Sequence, residues 1–183
     1  MAKILVPISN GTEEMEAVII IDMLRRGGCD VLIAGDGDVV VCAWGTRLLP
    51  DVMIDDIADD DTFDAIVLPG GSQGVSNFSR NAALEAILRR HSAANGLIGA
   101  ICAAPTVLHE FKLIPDGAVV TSHPGVADVL APYTYTLDRV ASDGSIITSR
   151  GAGTAIEFSL AILRRLGDEK AARRVASDIV LYE

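Results

Sequence analysis

The stretch "KILVPISNGTEEMEAVIIIDMLRRGGCDVLIAG", residues 3–35, decides the fold. "KILVPI" (3–8) is an apolar run without polar alternation, the pattern of a strand buried on both faces. "EEMEAVIIIDMLRRGG" (13–28) opens with acids, places Arg25 and Arg26 in its last turn and stops at Gly27-Gly28. Those are the start and stop signals of a helix. "DVLIAG" (30–35) is the next apolar run. Two buried strands joined by a helix form a βαβ unit, and such units build parallel sheets.

The alternation continues outward from that unit. "DVVVCAWG" and "TRLLPD" read as short strands around a turn at Gly45. "FDAIVLPGG" (63–71) is a third buried strand, broken by Pro-Gly-Gly. "SRNAALEAILRRHSA" (79–93) has an apolar period near 3.6 and Ser79 as a candidate cap. "GLIGAI" (96–101) is a further strand, and "AAPTVLHEF" begins a short helix. In the last third, "GAVVTS", "YTYT", "RVAS" and "SIITS" are short strands, with Asp143-Gly144 as a hairpin turn. "GTAIEFSLAILRRLG" (153–167) and "DEKAARRVASDIVL" (168–181) close the chain as helices. With no linker or repeat, residues 1–183 read as one α/β domain, a mainly parallel sheet with helices on both faces.

The chain has 183 residues and a formal net charge of −10. No basic face is visible, which argues against nucleic-acid binding, and an acidic surface repels phosphates. Cys29, Cys42 and Cys102 are widely spaced, with no C-x-x-C metal or redox pattern and no even-numbered disulfide framework. Free thiols fit a reducing compartment. "MAKILVPIS" lacks the pattern of a signal peptide, and no run of 18 apolar residues indicates a membrane span. The expectation is a cytoplasmic protein without membrane association, metal or cofactor.

A parallel α/β sheet places its site beyond the carboxyl ends of its strands. "GAICAAPTVL" (99–108) puts Cys102 there, between a strand and a helix, in the arrangement of a nucleophile elbow. Small neighbours allow close backbone approach, Pro105 suits a first helical turn, and the helix N-terminus is expected to lower the thiol pKa. A small buried structural cysteine is the alternative. "PGGSQG" (69–74) lacks the spacing of a phosphate loop. Gly70 and Gly71 could instead turn backbone N–H groups toward a substrate carbonyl, or serve an ordinary turn. In "GTEEMEA", Glu13 and Glu16 share a helical face. Glu16 is the acid expected to face inward, with a raised pKa that suits proton exchange with a thiol. His123, held extended by Pro124, is placed to pair with Cys102 across the strand ends. His91 is expected to be solvated, and His109 to be a surface or packing residue.

Five stretches in order, "NGTEEMEAV" (10–18), "DAIVLPGG" (64–71), "GAICAAPTVL" (99–108), "TSHPGVAD" (121–128) and "ITSRGAGTAIEFSLAIL" (147–163), together resemble the ThiJ/PfpI superfamily, in its parkinsonism-associated protein deglycase branch. The resemblance spans essentially the whole chain and implies a flavodoxin-like three-layer sandwich. It implies Cys102 as reactive nucleophile, Glu16 as acid/base and His123 beside the site. Gly70 and Gly71, with the Ala103 N–H, correspond to the oxyanion pocket, and Glu13, Arg150 and Gly151 to its lining. It implies a homodimer, consistent with the apolar girth of "AVIIIDMLRR". Trp44 stands where some relatives carry Arg, with Arg47 further on, which alters any anion recognition at that edge.

The activity implied is a glutathione-independent glyoxalase acting on methylglyoxal or glyoxal, or a deglycase releasing 2-oxoaldehydes from glycated protein. An oxidative-stress sensor or chaperone acting through Cys102 oxidation is the alternative. A cysteine protease fits less well because the chain shows no inserted segment for the larger assemblies of such relatives, and an amidotransferase because "TSHPGV" lacks the late His-x-Glu pair.

Overall fold

The computed structural model describes residues 1–181. The chain runs through β1 (Lys3–Ile8), α1 (Glu14–Arg26) and β2 (Asp30–Gly35), the βαβ unit expected. β3 (Val40–Val41) and β4 (Arg47–Leu48) form a small hairpin, followed by β5 (Val52–Met53) and a 3₁₀ turn. Then come β6 (Ala65–Leu68), α2 (Ser72–Phe78), α3 (Ala82–Ala93), β7 (Leu97–Ile101) and α4 (Pro105–Glu110). β8 (Val119–Val120), β9 (Thr134–Tyr135), the β10 (Val140–Asp143)–β11 (Ile146–Ser149) hairpin, α5 (Ala155–Arg165) and α6 (Glu169–Asp178) complete it.

The main sheet has the order β10-β11-β7-β6-β1-β2-β5, parallel except at the β10–β11 edge. Both of its faces are covered. Along β1, Ile4, Val6 and Ile8 pack toward α1, α5 and α6, whereas Leu5 packs toward α2, α3 and α4. That two-sided burial is why the strands read as continuous apolar runs. The result is a flavodoxin-like three-layer α/β sandwich, as expected. From β1 the chain adds β2 on one side and β6 on the other. Strand order reverses there, which opens a crevice at the carboxyl ends of β1 and β6.

Several details differ from the sequence reading. Residues 72–78 form a helix hidden by its polar, glycine-containing sequence "SQGVSNF". Ser79 therefore ends α2, and the cap of α3 is Asn81, whose side chain accepts from the Leu84 N–H at 2.8 Å. β8 and β9 pair in parallel as a separate two-stranded sheet. His91 is buried, not solvated, because its Nε2 bonds the Leu97 carbonyl oxygen at 2.9 Å and its ring fills the space beside Gly96. His109 packs edge-on against Tyr133, with Nδ1 3.0 Å from the phenol oxygen. α1 buries Ile20, Met23 and Leu24 and leaves Met15 and Val18 exposed. Among the described residues, no helix is long and apolar enough to cross a membrane.

Candidate active site

Cys102 follows β7 directly and has φ of +63°. A non-glycine residue in this left-handed region costs about 1–2 kcal/mol, so packing around the turn must hold it. The Cys102 N–H donates to the Ser149 carbonyl at 3.0 Å, and its own carbonyl accepts the His123 N–H at 2.8 Å. The chain is thereby pinned from both sides, and the expected elbow is present. The side chain is partly exposed and lines a cavity of about 630 Å³, together with Glu13, Cys42, Trp44, Gly71 and His123.

Glu16 lies in α1 and is 1% exposed. Its Oε2 accepts the Gly70 N–H at 2.7 Å. Its Oε1 is buried without a hydrogen-bond partner among the described residues, and the carboxyl lies beside the Cys102 thiol. Burial pushes the Glu16 pKa up to about 7; the Gly70 N–H and the thiol oppose this, and the charge of Glu13 adds to it. Position 70 has to be glycine for this meeting, since a Cβ there would lie 2.6 Å from Cys102 Cβ and 2.7 Å from Glu16 Oε2. Gly71 has φ of +95°, and a Cβ on it would strike the Gly11 carbonyl oxygen. The two glycines therefore let β6 end against both the thiol and the carboxyl.

The expected fall in the Cys102 pKa is not observed. Burial, with the Glu16 charge next, pushes the thiol up to about 12, and the Gly71 and Ala103 N–H groups only partly offset this. The weak field of the six-residue α4 is outweighed by desolvation and a like charge. The two groups titrate as a pair. Moving a proton from Sγ to Oε1 keeps a single negative charge on the pair, so thiolate and carboxylate never coexist, and leaves a thiolate facing two backbone donors.

His123 is extended, with φ −59° and ψ 135°, as the following proline requires. It reaches the cavity, but its ring forms no hydrogen bond with Cys102. Its Nδ1 accepts the Gly125 N–H at 3.1 Å, so the neutral ring carries its proton on Nε2. Gly151 sits between this ring and Glu16: a Cβ there would lie 3.8 Å from His123 Cδ2 and 4.0 Å from Glu16 Oε1. Arg150 does not join them. Its guanidinium donates to the Leu137 carbonyl at 3.3 Å, and it is absent from the cavity wall.

The mouth of the cavity is formed largely by the β3–β4 hairpin. Trp44 is 82% exposed, and its indole N–H donates to Glu13 Oε2 at 3.2 Å. The Trp44 and Thr46 N–H groups donate to the Glu14 carboxylate at 3.1 and 3.3 Å, which ties the β3–β4 hairpin to α1. Arg47 lies outside the cavity wall. The carboxylates of "TEEME" thus divide their work: Glu13 and Glu14 hold the hairpin, and Glu16 turns inward. The sequence reading missed Cys42, Ser72 and Gln73 in the wall. Ser72 and Gln73 belong to the unrecognised α2, whereas nothing local marks Cys42, since the hairpin reaches α1 only in three dimensions. Among the described residues, no group of three or more His, Cys, Asp or Glu side chains is arranged to hold a metal ion.

The family model described as the DJ-1/PfpI family matches residues 2–165. The chain belongs to that family. A zebrafish (Danio rerio) protein named Parkinson disease protein 7 homolog is 38% identical over 184 residues, covering 98% of this chain and 97% of that protein. A Caenorhabditis elegans protein named glutathione-independent glyoxalase DJR-1.2 is 41% identical over 173 residues, covering 92% of this chain and 90% of its own. The crystal structure of Drosophila melanogaster DJ-1beta superposes with a TM-score of 0.94 at 39% identity, over 100% of this chain and 99% of that one. This DJ-1/PfpI chain therefore shares the fold of the Drosophila structure.

Proposed function

We propose that the chain is a cysteine-dependent enzyme of the glyoxalase or deglycase type, acting on 2-oxoaldehydes such as methylglyoxal or on their adducts. One observation carries this reading: a buried carboxyl with a free Oε1, beside a cysteine on a left-handed elbow that opens into a cavity. Membership of the DJ-1/PfpI family and the glyoxalase name of the C. elegans relative support it.

In this scheme Glu16 takes the Cys102 proton, and the thiolate attacks the aldehyde carbon of methylglyoxal. The carbonyl π electrons move to oxygen, which regains the proton from Glu16 and gives a hemithioacetal. The Gly71 and Ala103 N–H groups, which already face the sulfur, are placed to steady the developing oxyanion. Glu16 then removes the proton from the former aldehyde carbon and returns it to the neighbouring carbon through an enediol, while the hydroxyl proton on the first carbon passes to the ketone oxygen. The former aldehyde carbon is thereby oxidised, the ketone carbon is reduced, and a thioester results. Water cleaves the thioester, giving lactate and free thiol. A carboxyl with a pKa of about 7 suits this exchange, since both of its protonation states are populated near neutral pH.

The test is lactate formation from methylglyoxal. We expect Cys102→Ala and Glu16→Gln each to lower kcat by at least about a hundredfold. Undiminished turnover in either variant overturns the corresponding role. The same geometry favours a second reading as a redox sensor, because the two N–H donors and a protonated Glu16 suit a sulfinate on Cys102.

A further inference from the structure

The cavity does not end at Cys102. A second depression of about 360 Å³ adjoins it, and Ser72, Ala103 and Val126 line both. This groove carries Ser76, Ser79 and Arg80 from α2 and the turn after it, and Thr106 and Glu110 from α4. Its lining is polar in an unusual way. Among the described residues, the Ser76 and Ser79 hydroxyls have no hydrogen-bond partner, and neither Arg80 nor Glu110 forms an ion pair. Thr106 donates its hydroxyl proton to the Ala103 carbonyl at 2.7 Å, which leaves its oxygen free to accept.

Arg80 and Glu110 are both exposed and line the same groove. A net anion would gain from Arg80 and lose to Glu110, and a net cation would do the reverse. A neutral polyol uses both, because its hydroxyl oxygens accept from the guanidinium and its hydroxyl protons go to the carboxylate. The serine hydroxyls serve in either sense. The net charge of −10 also disfavours an anionic ligand.

We propose that this groove is a subsite for the hydroxylated tail of a longer, sugar-derived 2-oxoaldehyde, whose dicarbonyl end lies at Cys102. The inference rests on the reading of Cys102 as the nucleophile toward 2-oxoaldehydes. Arg80 and Glu110 then set chain-length preference without touching the reacting atoms, whereas methylglyoxal, with only a methyl group, leaves the groove unused.

The probe is 3-deoxyglucosone, a six-carbon 2-oxoaldehyde with three hydroxyls on its tail. Its binding to the Cys102→Ser variant is followed by backbone amide NMR, which needs no turnover. Shifts at Ser76, Ser79 and Thr106 are expected, with Kd weakened at least about tenfold when Arg80→Ala and Glu110→Gln are added. Shifts confined to the cavity around residue 102, or an unchanged Kd, overturn the subsite. In otherwise wild-type enzyme, the same pair of substitutions lowers the ratio of kcat/KM for 3-deoxyglucosone to that for methylglyoxal by a similar factor. An unchanged ratio also overturns the subsite. Failure of the wild-type enzyme to turn over methylglyoxal overturns the proposed activity instead, and the binding measurement alone then decides the groove.

Discussion

Cys102 and Cys42 line the same cavity, yet only Cys102 has the surroundings that the proposed nucleophile requires. Burial raises both thiols, to about 12 at Cys102 and to about 11 at Cys42. Each also lies near carboxylates: Glu16 for the first, Glu14 and Glu13 for the second. The difference lies in what those carboxylates are already doing. Glu14 accepts the Trp44 and Thr46 N–H groups, and Glu13 accepts the Trp44 indole N–H. Glu16 has an oxygen to spare. Cys102 also stands on a left-handed elbow beneath backbone donors, whereas Cys42 is held in the hairpin by its N–H bond to the Thr46 carbonyl at 2.8 Å. In the proposed scheme, then, Glu16 can take the Cys102 proton because one of its oxygens is free, whereas Glu13 and Glu14 are already engaged.

The largest test of this contrast is turnover. Cys102→Ala is expected to lower methylglyoxal conversion by at least about a hundredfold, and Cys42→Ala to change it less than about threefold. A comparable loss in both variants would break the distinction.

The next test is stability against pH. The folded-state pKa of Glu16 lies near 7, above its ordinary 4.5, so the native protein holds this proton more tightly than the unfolded chain does. The stabilisation from the protonated carboxyl is complete below about pH 4.5 and is lost as the pH rises through about 7, by about 3 kcal/mol in all. Urea unfolding from about pH 5 to about pH 8 should show this decline in wild type and in Cys42→Ala, but not in Glu16→Gln. Identical slopes in wild type and Glu16→Gln would remove Glu16 as the titrating group.

The smallest effect separates the two backbones. Cys102→Gly relieves the left-handed conformation and offsets the lost side chain, so its net cost is expected to be below about 1 kcal/mol. Cys42→Gly leaves a gap at a buried site and gains no such relief, and is expected to cost about 2 kcal/mol. Denaturant midpoints measure both, and equal costs would argue that the elbow carries no strain.

Much of this arrangement is legible in the chain. The continuous apolar runs "KILVPI" and "LIGAI" mark strands buried on both faces, and the capped helix between residues 3 and 35 specifies a parallel connection. Cys102 and Gly70-Gly71 are legible because each sits where such a strand ends, and Glu16 because it lies in the first turn of the helix that follows β1, just before an apolar run. α2 escaped because "SQGVSNF" is short and packs chiefly through Val75 and Phe78. Tertiary packing stabilises it where propensity does not. His91 escaped because polar neighbours along α3 conceal the Leu97 carbonyl that satisfies its ring.

By itself the sequence determined the layers of this protein, the crossover direction of its strands and which residues stand at the strand ends. These follow from periodicity and turn chemistry, which act over a few residues. Only the tertiary structure decided that Glu16, the acid expected to face inward, keeps an oxygen free beside the thiol, and that the thiol pKa rises where a helix terminus alone would lower it. Desolvation and the charge of Glu16 depend on how α1, β6 and β7 meet, and residues 16, 70 and 102 are brought together only by the folded sheet.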